Sequence, residues 1–293
     1  LVVDRAAASA AIARAVADLL GVPVEEGAAK IIEIVNANMC EALRIVSIER
    51  GLDPRDFSLV AFGGAGPLHA VALAEELAIP EVIIPPAPGA FSAIGLVASD
   101  VKRDYSRTLY ADLGSISVGQ VNEVVTRMET EGDAMLAKAG VPSGSRETQR
   151  FADLRYPRQA YELTVPFEGG AVTRASLDRL MATFHQRHEQ TYGHANPNEP
   201  VQMVNLRVTA IGRLPAIRIR QEFQPCRRDP RQRPAWFPQT GTVMAAIHRR
   251  EELASGAKIA GPCIIDALDC TAVIPPGWSG TVDANGYIHV RRS

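Results

Sequence analysis

The stretch LVAFGGAGPLHA, residues 59–70, decides the fold. Its apolar start belongs to SLVAF (58–62), which is short, as expected of a strand covered on both faces. A helical pattern follows from about 68 to 77, and EVIIP (81–85) reads as a second strand. Such a strand–helix–strand unit favours parallel pairing with a right-handed crossover. The sequence therefore predicts an α/β fold in which a glycine turn joins strand to helix.

The turn itself consists of Gly63, Gly64, Ala65 and Gly66. Backbone N–H groups at a helix N-terminus, with hardly any Cβ atoms to shield them, let another group approach the main chain closely. This arrangement suits a nucleotide. A Walker loop is excluded because no Gly-Lys-Ser/Thr follows, and the GxGxxG fingerprint fails because its last place is His69. The alternative is a tight corner that simply requires glycine.

A long helix is predicted before the turn, from about residue 25 to 50. Its apolar residues occupy several sides, so we expect it to be largely buried. Asn36 and Asn38 interrupt this pattern, and each needs a hydrogen-bond partner if it is enclosed. Two interpretations stay open: these side chains bond neighbouring loops, or they line a polar ligand cleft.

The pattern changes after the second strand. PAPGAFSAIGLVASD (86–100) predicts a helix of small residues, followed by helices at 116–139 and 174–192 and strands within 151–167 and at 200–212. Residues 213–235 hold seven arginines and are interpreted as a solvated linker. Short strands with Gly/Pro turns then run to the end, as in a small all-β unit. We predict three parts: 1–110, 111–212 and 213–293.

Composition excludes several classes of function. The 293 residues carry a net charge of −2 and only 5% aromatic residues, which argues against a nucleic-acid partner. No apolar run reaches the ~18 residues of a membrane helix, and the first residues do not resemble a signal peptide. Four irregularly spaced cysteines, Cys40, Cys226, Cys263 and Cys270, are typical of buried thiols in a reducing cytosol. We predict a cytoplasmic protein without a membrane partner.

Histidines supply the remaining candidates. His185, His188 and His194 lie within ten positions and could bind a metal, but no carboxylate or cysteine partner is spaced to complete such a site. Solvated or capping histidines are the alternative, so no metal site is predicted. His69 follows the glycine turn and is a weak catalytic candidate as a proton donor or carrier, or else packs in the first helical turn.

The order of these motifs resembles the hydantoinase A/5-oxoprolinase family. The resemblance is carried by LVAFGGAGPLHAVALAEELAI, VIIPPAPGAFSAIGLVASDVKRDYSRT, DLRY…YELTVP, FHQRHEQTYGHANPNEPVQMVNLRV and GPCIID…TAVIPPGWSGTVD, which together cover nearly the whole chain. Two positions depart from the family pattern: Arg158 stands where glycine is usual, and Cys270 where a hydroxyl residue is usual. Both departures affect the substrate assignment and not the membership.

The resemblance implies a partial actin-like ATPase lobe, of the sugar kinase/Hsp70/actin type, followed by an α/β segment and a β-rich C-terminal unit. Within that fold the turn Gly63–Gly66 resembles the adenosine motif, and the helix with Asn36 and Asn38 would flank the same cleft. The family's cofactors are ATP and Mg²⁺. Its Asp-x-Gly-x-Thr phosphate loop and second aspartate loop, which hold the phosphates and the metal, are not found in this chain.

The implied activity is ATP-dependent opening of a cyclic amide such as a hydantoin or 5-oxoproline. The amide oxygen is phosphorylated, and water then attacks the activated carbon. The chain is expected to be a C-terminal fragment or subunit that is inactive alone and works in an oligomer with the N-terminal part of the enzyme and a hydantoinase B-type subunit. Two alternatives remain: a subunit of an ATP-dependent ketone carboxylase, or a non-catalytic assembly module.

Overall fold

A computed structural model describes residues 4–217 and 230–293. Cys226 and most of the arginine-rich linker predicted at 213–235 lie outside these residues. The chain forms two compact units. Unit 1 comprises residues 1–97 together with 218–293, and unit 2 comprises residues 98–217.

The helices follow the apolar periodicity of the sequence. A π-helical turn, Ala13–Ala17, interrupts the first one, and Gly21 ends it in a left-handed conformation that glycine adopts without strain. The helices are α1 (Arg5–Ile12), α2 (Asp18–Leu20), α3 (Val24–Val46), α4 (Gly66–Glu76), α5 (Phe91–Ala98), α6 (Val118–Lys138) and α7 (Arg174–Tyr192).

The strands are β1 (Ser58–Val60), β2 (Glu81–Ile84), β3 (Val101–Asp112), β4 (Arg146–Arg155), β5 (Leu163–Phe167), β6 (Gln202–Gly212), β7 (Arg231–Phe237), β8 (Gly241–Arg249), β9 (Lys258–Ala260), β10 (Cys263–Asp266), β11 (Thr271–Ile274), β12 (Trp278–Val282) and β13 (Ile288–Arg292). The described part of the predicted linker therefore includes a strand, β7, so the prediction of a loop is wrong there. The sequence analysis missed this strand, because Gln232, Pro234 and the neighbouring arginines leave no regular apolar alternation before Trp236.

The described residues of unit 1 form two sheets. The first has the strand order β1-β2-β13-β12-β9, and the second has β11-β10-β8-β7. β1 and β2 pair in parallel, with Val60 opposite Ile83, which confirms the predicted strand–helix–strand unit around α4. β13 pairs antiparallel with β2 and places Val290 opposite Val82. The end of the chain thus continues the sheet that begins before the glycine turn.

Unit 2 is one antiparallel sheet of order β3-β6-β4-β5, with its core against α6 and α7. Phe184 of α7 and Met128 of α6 are fully buried against Leu154 and Leu206 of the sheet. The side chain of Thr173 caps α7 by accepting from the N–H of Ser176, whose own hydroxyl accepts from the N–H of Thr173. The predicted helices and strands of this region are present.

The division of the chain differs from the predicted three parts. The last strands share one hydrophobic core with α3, α4 and β2: Cys40, Val82, Ile288 and Val290 belong to the same buried cluster. The β-rich segment is therefore not a separate unit, because its β13 supplies the neighbour that β2 needs. Sequence patterning recognised those strands but not where they pair.

Helix α3 corrects a further expectation. Of its residues, only Gly27 and Cys40 are buried, whereas Ile34 is 65% and Val46 52% exposed. The prediction of a largely buried helix is wrong for the described residues, because a single side of α3, with Met39 and Leu43, packs on the core.

Among the described residues no single helix could cross a membrane. Only the pair Arg5–Leu20 and Val24–Arg50, bent by 87°, meets the length and composition criteria together.

The shared core of unit 1 yields a stability prediction. Ile288→Ala should lower the free energy of unfolding by about 2–4 kcal/mol, because truncation leaves a cavity. It should also speed the reaction of Cys40 with a thiol reagent, since Cys40 is 1% exposed in the same core. Denaturant unfolding and labelling rates measure both effects.

Val165→Ala, in the separate core of unit 2, is the matched control and should leave Cys40 protected. Unchanged Cys40 labelling in Ile288→Ala would contradict a core shared by the two ends of the chain.

Candidate functional site

The glycine turn leaves the main chain open. Gly63 has a φ of 84°, a conformation that favours glycine, and a Cβ built there would meet no heavy atom within 4 Å. Its N–H donates to the carbonyl of Pro88 at 2.7 Å, which ties the turn to the segment after β2. Gly64 and Ala65 are exposed, and Gly66 is half-buried. The four predicted residues thus form an accessible backbone surface, called the glycine corner below.

Helix α4 begins at this corner without a side-chain cap. Ala65 occupies the N-cap position, and no side chain accepts from the first turn. Pro67, in that turn, is buried and has no N–H to satisfy. The positive end of the helix dipole is therefore available to an electron-rich group at the corner.

A loop from the far end of the sequence borders the corner. Asp269, between β10 and β11, accepts the N–H of Gly89 at 2.8 Å, and its carbonyl lies 3.6 Å from a Cβ built on Gly64. A Cβ on Gly89 would approach that carbonyl to 2.6 Å, so only glycine fits there. Sequence reasoning missed Asp269, because 180 residues separate it from Gly89.

Phe62 adds an aromatic surface beside the corner. Its ring is 48% exposed and lies 5.7 Å, centre to centre, from that of Phe91. Exposed aromatic faces next to open main chain suit the stacking of a planar ring such as a purine. Phe62 was present in the quoted stretch but was interpreted only as a strand residue.

The two asparagines of α3 have different environments. Asn36 is half-buried, and its Oδ1 lies 2.8 Å from Nδ1 of His69 in the first turn of α4. Asn38 is exposed on another side of the helix and is not brought to this contact. The structure therefore joins Asn36 with His69 next to the corner. The contact joins Asn36 to a helix rather than to a neighbouring loop.

A groove of about 850 Å³ lies along the α3–α4 pair on one side and the β7–β8 hairpin with β10 and β11 on the other. Asn36 and Leu68 line the end nearest α4's first turn, and Trp236 lies on the hairpin side. None of the four glycine-corner residues lines it. The groove and the corner are thus distinct surfaces of unit 1 that share the neighbourhood of Asn36.

The three clustered histidines lie in unit 2 and are engaged in other contacts. His188 is fully buried; its Nδ1–H donates to the carbonyl of His194 at 2.7 Å, and the amide of Gln159 donates to its Nε2. The hydroxyl of Tyr156 lies 2.7 Å from Nδ1 of His185. Burial, and then the neighbouring His188, lowers the pKa of His185. In the described part of the chain, no group of three or more His, Cys, Asp or Glu side chains is placed to hold a metal.

The described cysteines are buried, free thiols, as the sequence predicted for Cys40, Cys263 and Cys270. Burial raises the pKa of Cys263 to about 12. Burial, followed by the charge of Asp269, raises the pKa of Cys270 to about 11. Both thiols are therefore protonated at neutral pH, which makes them poor nucleophiles.

The corner brings together several groups that can contact a ligand. The corner offers open main chain, an uncapped helix end, an aromatic face and the Asn36–His69 pair. Among the described residues, no group of three or more His, Cys, Asp or Glu side chains at the corner could hold a metal ion.

Comparisons with known proteins match nearly the whole chain. The description "Hydantoinase/oxoprolinase" matches residues 1–105, and "Hydantoinase/oxoprolinase C-terminal domain" matches residues 117–293. The caprolactamase subunit alpha of Pseudomonas jessenii is 33% identical over 96% of this chain and 41% of its own length. The acetone carboxylase beta subunit of Xanthobacter autotrophicus is 24% identical over 98% of this chain and 42% of its own length.

Two solved structures share the fold. An acetone carboxylase in its nucleotide-free form has a TM-score of 0.80 at 23% identity, and the ATP-dependent caprolactamase of P. jessenii has 0.70 at 32% identity. Each covers 99% of this chain, which in turn covers 43% of each of those chains. The chain thus spans about two fifths of the length of these relatives. The two matches to family descriptions jointly cover nearly every residue, and the chain belongs to the hydantoinase/oxoprolinase family.

Proposed function

We propose that this chain is the C-terminal portion, or a subunit, of an ATP-dependent enzyme that opens a cyclic amide. The observation that carries the proposal is the open glycine corner at the uncapped start of α4. Family membership and the similarity to a caprolactamase subunit support it. A lactam is stable to water, so the amide oxygen is proposed to be phosphorylated by ATP before water adds to the carbonyl carbon. The ring C–N bond then breaks with protonation of the nitrogen, and a second water hydrolyses the resulting acyl phosphate to the carboxylate and phosphate.

The proposed roles at the corner are limited to the nucleoside. Gly63, Gly64, Ala65 and Gly66 would contact the adenosine, and Phe62 would lie against the purine. The hydrogen bond between Asn36 and His69 would hold α3 in its orientation beside the ligand. A ligand contact by Asn38 and proton transfer by His69 stay predictions. Bound ATP supplies the phosphoryl group that activates the amide.

The phosphates and Mg²⁺ are proposed to be held by another polypeptide segment, the N-terminal part of the enzyme. β1 is the edge of its sheet and leaves Val60 and Phe57 exposed. An exposed apolar edge strand can be covered by pairing with a further strand. Parallel strands have their carboxyl ends on the same side of the sheet. A further strand that paired in parallel with β1 would therefore bring the loop after it beside the glycine corner.

A ketone carboxylase is the second candidate. It is favoured by the similarity to an acetone carboxylase beta subunit. Both activities would use the same nucleoside contacts, because each activates an oxygen by phosphorylation. A non-catalytic assembly module is the third candidate, and an in-frame Asp-x-Gly-x-Thr segment encoded upstream would argue against it. Cytoplasmic location, a hydantoinase B-type subunit and an oligomeric assembly stay predictions.

Calorimetry on the 293-residue chain tests the corner. Adenosine, ADP and MgATP should bind weakly and within about threefold of one another, since the described residues offer contacts to the nucleoside only. Gly64→Val should weaken all three by about tenfold or more, because a branched side chain would occupy the exposed main chain. Gly64 has no positive φ, and a Cβ built there lies 3.6 Å from its nearest neighbour, the carbonyl oxygen of Asp269. The variant should therefore fold normally.

Gly144→Val is the matched control: Gly144 is exposed in unit 2, and a Cβ there meets nothing within 4 Å. Tight, magnesium-dependent ATP binding by the chain alone would contradict the division of the site. Equal affinities in Gly64→Val and the unsubstituted protein would refute the assignment of the corner.

Phosphate release from ATP distinguishes cyclic-amide opening from ketone carboxylation. The chain, assembled with the segment encoded upstream and a hydantoinase B-type subunit, should release phosphate from ATP when 5-oxoproline, hydantoin or caprolactam is added. Acetone with bicarbonate should release none. The opposite pattern would establish the carboxylase and leave the glycine-corner assignment intact.

A further inference from the structure

A cavity of about 300 Å³ lies on one face of the second sheet of unit 1, β11-β10-β8-β7. All four strands contribute side chains to its lining. Successive side chains of a strand point to opposite faces of a sheet, so these residues share the face opposite to Cys263 and Ile265, which belong to the buried core. The four glycine-corner residues do not line this cavity, so it is a separate feature of the unit.

The strand register orders the lining side chains across the sheet. Arg231 of β7 lies opposite Ile247 of β8, and Ile247 lies opposite Ile264 of β10. Asp266 comes two positions after Ile264 on the same strand and lies opposite Thr271 of β11. The cavity therefore has a basic end at β7, an apolar middle and an acidic end at β10 and β11.

The basic end offers guanidinium groups that are free to take an anion. Arg231 and Arg233 are exposed, and neither forms an ion pair with a carboxylate of residues 4–217 or 230–293. Arg249 also lines the cavity, and its Nε lies 3.8 Å from Oε1 of Glu251, which is too long for a hydrogen bond. A guanidinium group binds a carboxylate through two parallel N–H···O bonds. A carboxylate is therefore the group that suits this end.

The acidic end offers acceptors for a cation. Asp266 is exposed, and its carboxylate has no ion pair within the part of the chain that the structure describes. Glu252, which is half-buried, and Thr271 line the cavity as well. An ammonium group has three N–H donors, which two carboxylates and a hydroxyl can accept.

The middle of the cavity separates the two ends by an apolar surface. Ile264 is 5% exposed, and Ile247 is half-buried. Arg231 and Asp266 belong to strands with one strand between them, so their backbones are about 9–10 Å apart across the sheet. A molecule whose two charges are adjacent cannot reach both ends, whereas a chain of several methylene groups can do so and cover the isoleucines.

We propose that this cavity binds a linear ω-amino acid. Its carboxylate would contact Arg231 and Arg233, its methylene chain would lie over the two isoleucines, and its ammonium group would contact Asp266. Opening of an unsubstituted lactam yields such a molecule, because breaking the ring C–N bond leaves a carboxylate at one end and an amine at the other. The cavity itself supports the class of ligand, and only its identity as a reaction product rests on the proposed function.

Calorimetry on the 293-residue chain, without ATP, tests the inference with 6-aminohexanoate. L-norleucine is the matched ligand, because it has the same atoms but carries its two charges on adjacent carbons. 6-Aminohexanoate should bind at least about tenfold more tightly than L-norleucine. Hexanoate and hexylamine, which each lack one charged end, should also bind more weakly.

Two variants assign the ends of the cavity. Arg231→Gln should weaken 6-aminohexanoate and hexanoate by about tenfold and leave hexylamine unchanged. Asp266→Asn should weaken 6-aminohexanoate and hexylamine and leave hexanoate unchanged. Both residues are exposed, so both variants should fold normally. A loss of structure would weaken all the ligands together and would not produce this crossed pattern.

Arg103→Gln is the matched control, because Arg103 is an exposed arginine on β3 of unit 2. It should leave every affinity unchanged. No binding of 6-aminohexanoate, equal affinity for L-norleucine, or unchanged binding in both Arg231→Gln and Asp266→Asn would overturn the proposal. These outcomes are independent of the proposed function, which adenosine titration and phosphate release measure separately.

Discussion

The pairing of β13 with β2 is the constraint on which unit 1 depends. Val290 lies opposite Val82, and both are fully buried, so residues from the two ends of the chain close one core. The β10–β11 loop, from the same C-terminal segment, also reaches the glycine corner, where Asp269 accepts the N–H of Gly89. The corner therefore takes its shape from parts of the chain that are far apart in sequence. A β-rich tail that folded alone would leave one wall of the corner unformed.

The glycine corner is accessible because it has few side chains and no helix cap. Gly63 and Gly64 carry no side chain over the main chain, and Ala65 offers no cap to α4, so polar backbone groups remain accessible. An uncapped helix end leaves N–H groups to water or to a ligand. On the proposed function, the corner would contact the nucleoside of a nucleotide, and other polypeptide segments would hold the phosphates.

Structure set by residues close together in the sequence was predictable, and contacts between residues far apart in the sequence were not. The parallel pairing of β1 with β2 around α4 follows from apolar runs and a glycine turn, and it is confirmed. The contact between Asn36 and His69 depends on how α3 lies beside α4, which periodicity does not specify. Strand β7 was obscured by arginines, and the exposure of α3 depends on which neighbours are present. Asp269 shows the limit most clearly, because no local pattern links it to Gly89.

Photoaffinity labelling tests the central claim most directly, namely that the glycine corner receives the adenine nucleoside. The 293-residue chain would be irradiated with an azido-adenosine, and the labelled peptide would be identified by mass spectrometry. The account predicts labelling within residues 62–69, suppressed by excess adenosine and reduced in Gly64→Val. Labelling of Trp236 in the groove along α3 and α4, with residues 62–69 unmodified, would contradict it.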